Sequence, residues 1–165
     1  MKTVYLVRHA KSSWDNPGLS DSDRPLNKRG LNDAPFMAKM MRGKGVKPDV
    51  LISSPAKRAL TTASFFQTEM GLSGQQLLVR DEIYEASSQE ILALINKLPQ
   101  EYQTVMLFGH NPTFTYVANK FSKKLIDNIP TCGVIRIDAK TEQWKDFSPD
   151  HASVTESYFP KEYLS

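Results

Sequence analysis

The chain has 165 residues, 40% of them hydrophobic and 24% charged, with a net charge of +3. This is the size and balance of one globular domain over residues 1–165, and the sequence shows no long basic block, RNA-reading aromatic pattern or zinc-finger spacing, which excludes nucleic acid as the expected partner. The one cysteine, Cys132, excludes an internal disulfide and fits a reducing compartment, and no apolar run approaches the roughly 20 residues that span a membrane.

Residues 2–7 read as a buried strand, because Val4-Tyr5-Leu6-Val7 is continuously apolar rather than alternating. No basic n-region with a long apolar stretch precedes it, so the expected location is cytoplasmic. Residues 11–27 read as a loop: Asn16-Pro17-Gly18 is turn chemistry, and Ser20, Asp21, Ser22 and Asp23 favour local side-chain to backbone bonds. Leu31, Ala34, Met37, Ala38 and Met41 keep helical spacing and predict a helix over about 28–43, with Pro35 expected in its first turn and Gly43 and Gly45 at its end. Val50 to Ser53 is a second strand, and a helix from Ser54 or Pro55 runs to about Met70, stopped by Gly71. Leu77-Leu78-Val79 is a short third strand. Ser87 or Ser88 caps a helix to about Leu98. Thr104 to Phe108 is the fourth strand, and about 112–121 is helical. Gly133 to Asp138 and Gln143 to Phe147 alternate apolar and polar residues, which predicts a hairpin or a pair of edge strands. The tail from about 149 is expected to be only partly ordered.

Strands alternating with helices predict an α/β fold, a three-layer α/β/α sandwich with a mostly parallel central sheet and C-terminal edge strands. In such a sheet the C-terminal ends of parallel strands share one edge, where ligands bind. Three motifs then converge: Arg8-His9 after the first strand, Ser53-Ser54-Pro55 with Arg58 after the second, and Gly109-His110-Asn111 after the fourth. Two of the three histidines in the chain lie there. Two imidazoles and two guanidiniums make a pocket for a phosphoryl group. A neutral imidazole is a competent phosphoryl acceptor, and phosphoryl transfer needs mainly positioning and neutralisation of oxygens. Arg8 and Arg58 supply forked donors that lysine does not match. His110 is suited to donate to the phosphoryl oxygens. Ser12 and Asn111 are further candidate contacts. Lys11 and Arg24 flank the pocket in sequence, either steering an anionic substrate or simply solvated.

These residues resemble the histidine phosphatase superfamily, the phosphoglycerate mutase-like group. Leu6-Val7-Arg8-His9-Ala10 corresponds to its strand-Arg-His-Gly opening. Ser54-Pro55-Ala56-Lys57-Arg58-Ala59-Leu60-Thr61-Thr62-Ala63 follows its Ser-Pro-x-x-Arg-Ala-x-x-Thr-Ala segment throughout. Gly109-His110 stands for its second histidine, and Arg24-Pro25-Leu26 with Gly30 matches a further segment. The resemblance covers residues 3 to about 120. It implies that His9 is the nucleophile, forming a phosphohistidine, and that Arg8, Arg58 and His110 bind the phosphoryl group. The short SixA-type phosphohistidine phosphatases are the most similar branch, through Arg8-His9-Ala10-Lys11-Ser12-Ser13-Trp14, Asp23-Arg24-Pro25-Leu26 and the small size. The chain has little room for the insertions that roof the pocket in the mutases, and an open site suits a phosphate carried on a protein.

Two positions depart from the family pattern. Ala10 replaces the usual glycine, so a negative φ is expected there. Asp81-Glu82-Ile83-Tyr84-Glu85 occupies the region of the family's general acid; Glu82 is the preferred match, ahead of Glu85 and Asp81, and a solvated loop carboxylate is an equal reading. An imidazole leaving group has an ordinary pKa near ~6.5 and departs already protonated, whereas an alcohol needs a donor. The expectation is therefore a phosphatase without metal or other cofactor, acting on phosphohistidine in a signalling or phosphotransfer protein. The alternatives are a phosphatase of small phosphoesters and a non-catalytic phosphate-binding module. A monomer is the favoured state. Cys132, Met37, Met40, Met41 and Met106 read as core, His151 as exposed surface, and no His or Cys spacing suggests a metal site.

Overall fold

Along the first strand, β1 (Lys2–Arg8), side chains alternate between two cores. Val4 and Leu6 pack with Ile91, Ile95, Phe114 and Val117 on one face, while Tyr5 and Val7 pack with Met37, Met41, Ala63 and Phe66 on the other. Burial of both faces is why the strand reads as an unbroken apolar run. The computed structural model describes residues 1–164. Its other strands are β2 (Val50–Ser53), β3 (Leu77–Val79), β4 (Thr104–Gly109), β5 (Val134–Ala139) and β6 (Ala152–Tyr158). Helices α1 (Lys28–Gly43) and α2 (Lys57–Glu69) cover one face, and α3 (Ser88–Asn96) and α4 (Thr113–Lys120) cover the other.

The strand order is β3-β2-β4-β1-β5-β6. The first four are parallel, β5 runs antiparallel to β1, and β6 runs antiparallel to β5. This is the α/β sandwich expected from the alternation of strands and helices. The register fixes the functional edge: Arg8 lies opposite Gly109 and Ser53 opposite Phe108, so the ends of β1, β4 and β2 are level.

Local signals set most boundaries. Asn27 caps α1, its side chain accepting from the Gly30 amide at 2.9 Å. Ser87 and Glu90 form a reciprocal capping box on α3. Gly45 and Gly71 follow α1 and α2 at positive φ. Because Asn27 starts α1, Pro35 falls inside the helix and not in its first turn.

The C-terminal strand pair differs from the expectation. Residues 143–147 are not a strand; Trp144–Asp146 is a short 3-10 turn. Trp144 and Phe147, three positions apart, bury in the same core, which a turn allows and a strand, with such residues on opposite faces, does not. The Trp144 indole donates to the Tyr102 carbonyl at 2.9 Å, and Asn96 Nδ2 donates to the carbonyls of Trp144 and Phe147 at 2.8 and 3.0 Å. The strand that pairs with β5 is β6, drawn from the tail expected to be partly ordered. Met37, Met41, Met106 and Cys132 are buried, and His151 is exposed. Among the described residues no helix is long and apolar enough to cross a membrane.

Candidate active site

Backbone hydrogen bonds beyond the strand ends tie the three motifs together. The His9 amide donates to the Gly109 carbonyl, and the Ser54 amide to the Phe108 carbonyl, both at 3.0 Å. Both flanking strands are thus pinned to the end of β4. Gly109 is required by packing: a Cβ there would stand 2.5 Å from Cζ of Phe114. Its absence lets the Phe114 ring pack directly against the backbone that carries His110. Ala10 is buried at negative φ, as expected, and its amide donates to Thr62 Oγ1 at 3.0 Å.

His9 is almost wholly buried. Its Nδ1 lies 2.7 Å from the Ala10 carbonyl oxygen. A carbonyl only accepts, so Nδ1 carries the proton, and in the neutral ring Nε2 keeps its lone pair. Burial, followed by the charges of the neighbouring His110, Arg58 and Arg8, pushes the His9 pKa down to about 3. The ring is therefore neutral at pH 7. The His110 ring lies 5.3 Å from it, centroid to centroid. Burial and Arg58 push the His110 pKa down to about 4. His110 Nε2 contacts Ser54 Oγ at 2.8 Å, while its Nδ1 is buried without a partner among the described residues.

Arg8 donates from Nη1 to the Ile129 carbonyl at 2.8 Å, and its buried Nε has no partner among the described residues. Buried N–H groups without acceptors are uncommon, and this one is left free to donate to a ligand. Arg58, in the first turn of α2, donates twice to one residue: Nη1 to the Asp21 carbonyl at 2.7 Å and Nη2 to Asp21 Oδ2 at 2.9 Å. Asp21 Oδ2 also accepts from the Tyr84 hydroxyl at 2.6 Å, and Oδ1 accepts from Arg24 Nη1 at 2.9 Å. The bond from Tyr84, then those from Arg58 and Arg24, hold the Asp21 carboxyl well below the usual carboxylate range. The same bond raises the Tyr84 pKa. Tyr84 stands edge-on to His110, 5.6 Å between centroids.

The structure brings Arg8, His9, Arg58 and His110 to one edge. The other expected residues fare differently. Arg24 is buried and fully engaged: Nε donates to the Ser13 carbonyl at 3.1 Å, Nη1 to Asp21, and Nη2 to Ser12 Oγ. Its guanidinium stacks on Trp14, 3.4 Å from the ring centroid. Ser12 is buried in this loop scaffold. Asn111 Nδ2 donates to Asn128 Oδ1 and the Ile129 carbonyl, and its Oδ1 accepts from the Thr115 amide and hydroxyl. Glu82 is exposed and does not line the cavity; Glu85 does, at φ 57°. Asp21 and Tyr84 are candidates that the sequence reading did not single out, and Ser54, named there only within its motif, contacts His110. The one signal for Asp21 was its closeness to the Arg24-Pro25-Leu26 segment.

The cavity at this edge has a volume of about 350 Å³ and is lined by residues including Asp21, Arg58, Tyr84, Glu85, His110 and Asn111. A larger one of about 790 Å³, between residues 121–128 and β6, contains no histidine or arginine. Counting formal charges, Arg8, Arg58 and Arg24 against Asp21 and Glu85 leave an excess of one positive charge at this edge. Arg58 and His110 line this cavity, and His9 stands beside it, 5.3 Å from His110 between ring centroids.

Comparison with known proteins agrees. Residues 4–106 match the Histidine phosphatase superfamily (branch 1). The solved structure of a protein designated phosphohistidine phosphatase SixA, from Agrobacterium tumefaciens, is 31% identical, covers 95% of this chain and 97% of its own, and superposes with a TM-score of 0.80. A SixA protein histidine phosphatase complexed with tungstate shares the fold at 20% identity and a TM-score of 0.76, covering 97% of this chain and 98% of its own. An uncharacterized chloroplastic protein of Arabidopsis thaliana is 28% identical over 153 residues, 88% of this chain and 70% of its own length. With the motifs in this order on this sheet, and the match spanning most of the chain, the protein belongs to the SixA-type branch of the histidine phosphatase superfamily and is a phosphatase.

Proposed function

We propose that the protein removes the phosphoryl group from phosphohistidine on a signalling or phosphotransfer protein, with His9 as nucleophile. The observation that carries this is the 2.7 Å contact between His9 Nδ1 and the Ala10 carbonyl, which leaves Nε2 as the free lone pair. Nε2 attacks phosphorus and forms a P–N bond, while the bond to the substrate imidazole breaks and its electron pair leaves with that ring. Water then attacks the phosphorus on His9, breaking the new P–N bond, releasing inorganic phosphate and restoring the neutral ring. Arg8, Arg58 and His110 hold the oxygens through both steps.

Two features favour an N–P substrate. Asp21, the carboxylate bonded to Arg58, is held ionised by three donors and has no proton to give. An imidazole leaving group takes its proton from water near pH 7, so it needs none. The likeness to the Agrobacterium SixA supports the same substrate class. A second reading, hydrolysis of small phosphoesters, draws on Glu85, the glutamate that lines the cavity.

The test is turnover of a phosphohistidine-bearing phosphotransfer domain beside a panel of small phosphoesters, with chelator present and His9→Ala as control. Release from phosphohistidine, and a fall of roughly three orders of magnitude or more in His9→Ala, is expected. Preference for phosphoesters moves the assignment to the second reading. Normal turnover by His9→Ala overturns the role of His9, and phosphate binding without release indicates a non-catalytic module.

A further inference from the structure

The geometry points to Ser54 as the residue that fixes which nitrogen of His110 carries the proton, and so turns His110 into a donor to the phosphoryl group. This rests on the reading that His110 holds that group.

Ser54 is fully buried, so water does not compete for its hydroxyl. Ser54 Oγ has two partners among the described residues: it accepts from the Ala56 amide at 3.2 Å, and it meets His110 Nε2 at 2.8 Å. A hydroxyl has one hydrogen and two lone pairs. If His110 Nε2 donated to Oγ, both partners would be donors and the buried hydroxyl hydrogen would have no acceptor, which is costly. If the hydroxyl donates to Nε2, both the Ser54 hydroxyl and the Nε2 lone pair are satisfied, and Nδ1 alone is left for a ligand. Ala56 N–H then binds one lone pair, Oγ–H binds Nε2, and the single proton of the neutral ring sits on Nδ1.

Nε2 is thus taken by Ser54. Any contact from the imidazole to a phosphoryl oxygen must come from Nδ1, the buried nitrogen without a protein partner. An N–H there attracts the anion; a lone pair there repels it. The choice matters because burial and Arg58 keep this ring neutral, with one proton to place. Ser54 mirrors the Ala10 carbonyl at His9. The carbonyl, an obligate acceptor, exposes a nucleophilic lone pair on His9 Nε2. The hydroxyl, forced to donate, exposes a proton on His110 Nδ1. Two chemically similar rings, 5.3 Å apart, are given opposite tasks by the groups behind them. Ser54 is a positioning residue: it acts through His110.

The test is ¹⁵N NMR of histidine-labelled protein at pH 7, with Ser54→Ala and Ser54→Thr. The expected wild-type spectrum has a protonated Nδ1 and an unprotonated Nε2 on His110. Ser54→Ala shifts that ring towards the Nε2-protonated form and weakens binding of inorganic phosphate about tenfold, and Ser54→Thr restores both. A protonated Nε2 on His110 in the wild-type protein overturns the assignment, whatever the variants do. So does an unchanged tautomer in a folded Ser54→Ala. Neither readout needs turnover, so failure of the proposed phosphatase reaction and failure of this inference are separately visible.

Discussion

Asp21 receives Arg58 in a fork, one Nη on its carbonyl oxygen and the other on its carboxylate, at 2.7 and 2.9 Å. One loop residue therefore sets both the position and the rotation of the Arg58 guanidinium. A carboxylate this close to an anion site is unfavourable for phosphate binding by charge alone. Arg24 on the other oxygen and Tyr84 beside Arg58 offset that charge and keep the carboxylate in place. The arrangement favours orientation over raw electrostatic attraction.

Asp21→Asn separates these two effects. The amide has one acceptor oxygen for three donors, so Arg58 loses its fixed orientation, while removal of the negative charge favours the anion. The expected outcome is a kcat reduced roughly tenfold or more, with a smaller change in the inhibition constant for inorganic phosphate. Steady-state kinetics with phosphate as inhibitor measures both. An unchanged kcat would show that Arg58 needs no such support.

Arg24→Lys tests the mount behind Asp21. Arg24 bonds Ser12, Ser13 and Asp21 while stacking on Trp14. Lysine has neither the fork nor the flat face. A loss of about 1–3 kcal/mol in urea unfolding is expected, with a fall in activity in the same direction as Asp21→Asn. If stability and activity both hold, the bonds of Arg24 do not support the site.

The edge that gathers the site was legible because parallel topology needs only the order of strands and helices. Arg8-His9, Arg58 and Gly109-His110 follow from that topology and a few apolar runs. What supports them was not legible. Asp21 reaches Arg58 across 37 positions and Tyr84 reaches Asp21 across 63. Such contacts leave no periodic trace in sequence. Trp144 and Phe147 misled for a related reason: their spacing of three already fits a turn better than an alternating strand, but the partner that fixes it, Asn96 bonding their carbonyls, lies 48 and 51 positions away. Glu82 and Glu85 likewise differ by a backbone turn at positive φ, which single residues do not announce.

Gly109→Ala introduces a methyl that would stand 2.5 Å from Cζ of Phe114 and 3.1 Å from Ile83 Cγ2. The ring or the strand end must move, and His110 follows directly. Overpacking of this kind costs about 1–3 kcal/mol, and activity is expected to fall with it. Phe114→Leu in the Gly109→Ala background makes room and recovers part of the stability. Unfolding curves of the single and double variants check this; a Gly109→Ala protein as stable as wild type would mean that the helix yields freely.

His9 and His110 make stability depend on pH. Their folded pKa values, about 3 and about 4, lie below the ordinary 6.5. Between those values the unfolded chain binds more protons than the folded one, so stability rises with pH through this window. It is complete above about 6.5 and declines as pH falls towards 4. Replacing His110 by Asn removes its share, so the slope of unfolding free energy against pH between 4 and 6.5 is expected to flatten. Urea titrations at several pH values measure it. An equal slope in the variant would mean that other groups govern acid sensitivity.

Glu82 and Glu85 give the sharpest contrast between substrates. Glu85 lines the cavity and Glu82, three residues earlier and exposed, does not. A proton donor has to reach the leaving atom, directly or through one water. Glu82→Gln is therefore expected to leave all activities within about twofold. Glu85→Gln is expected to lower phosphoester hydrolysis by roughly 10²-fold, because an alkoxide leaves poorly without a proton. Phosphohistidine hydrolysis, whose leaving imidazole is protonated by solvent, should change far less. Assay of both variants on both substrate classes decides the matter. An equal loss on both substrates in Glu85→Gln would assign Glu85 to the second step, where the attacking water is common to every substrate and the identity of the leaving group no longer matters.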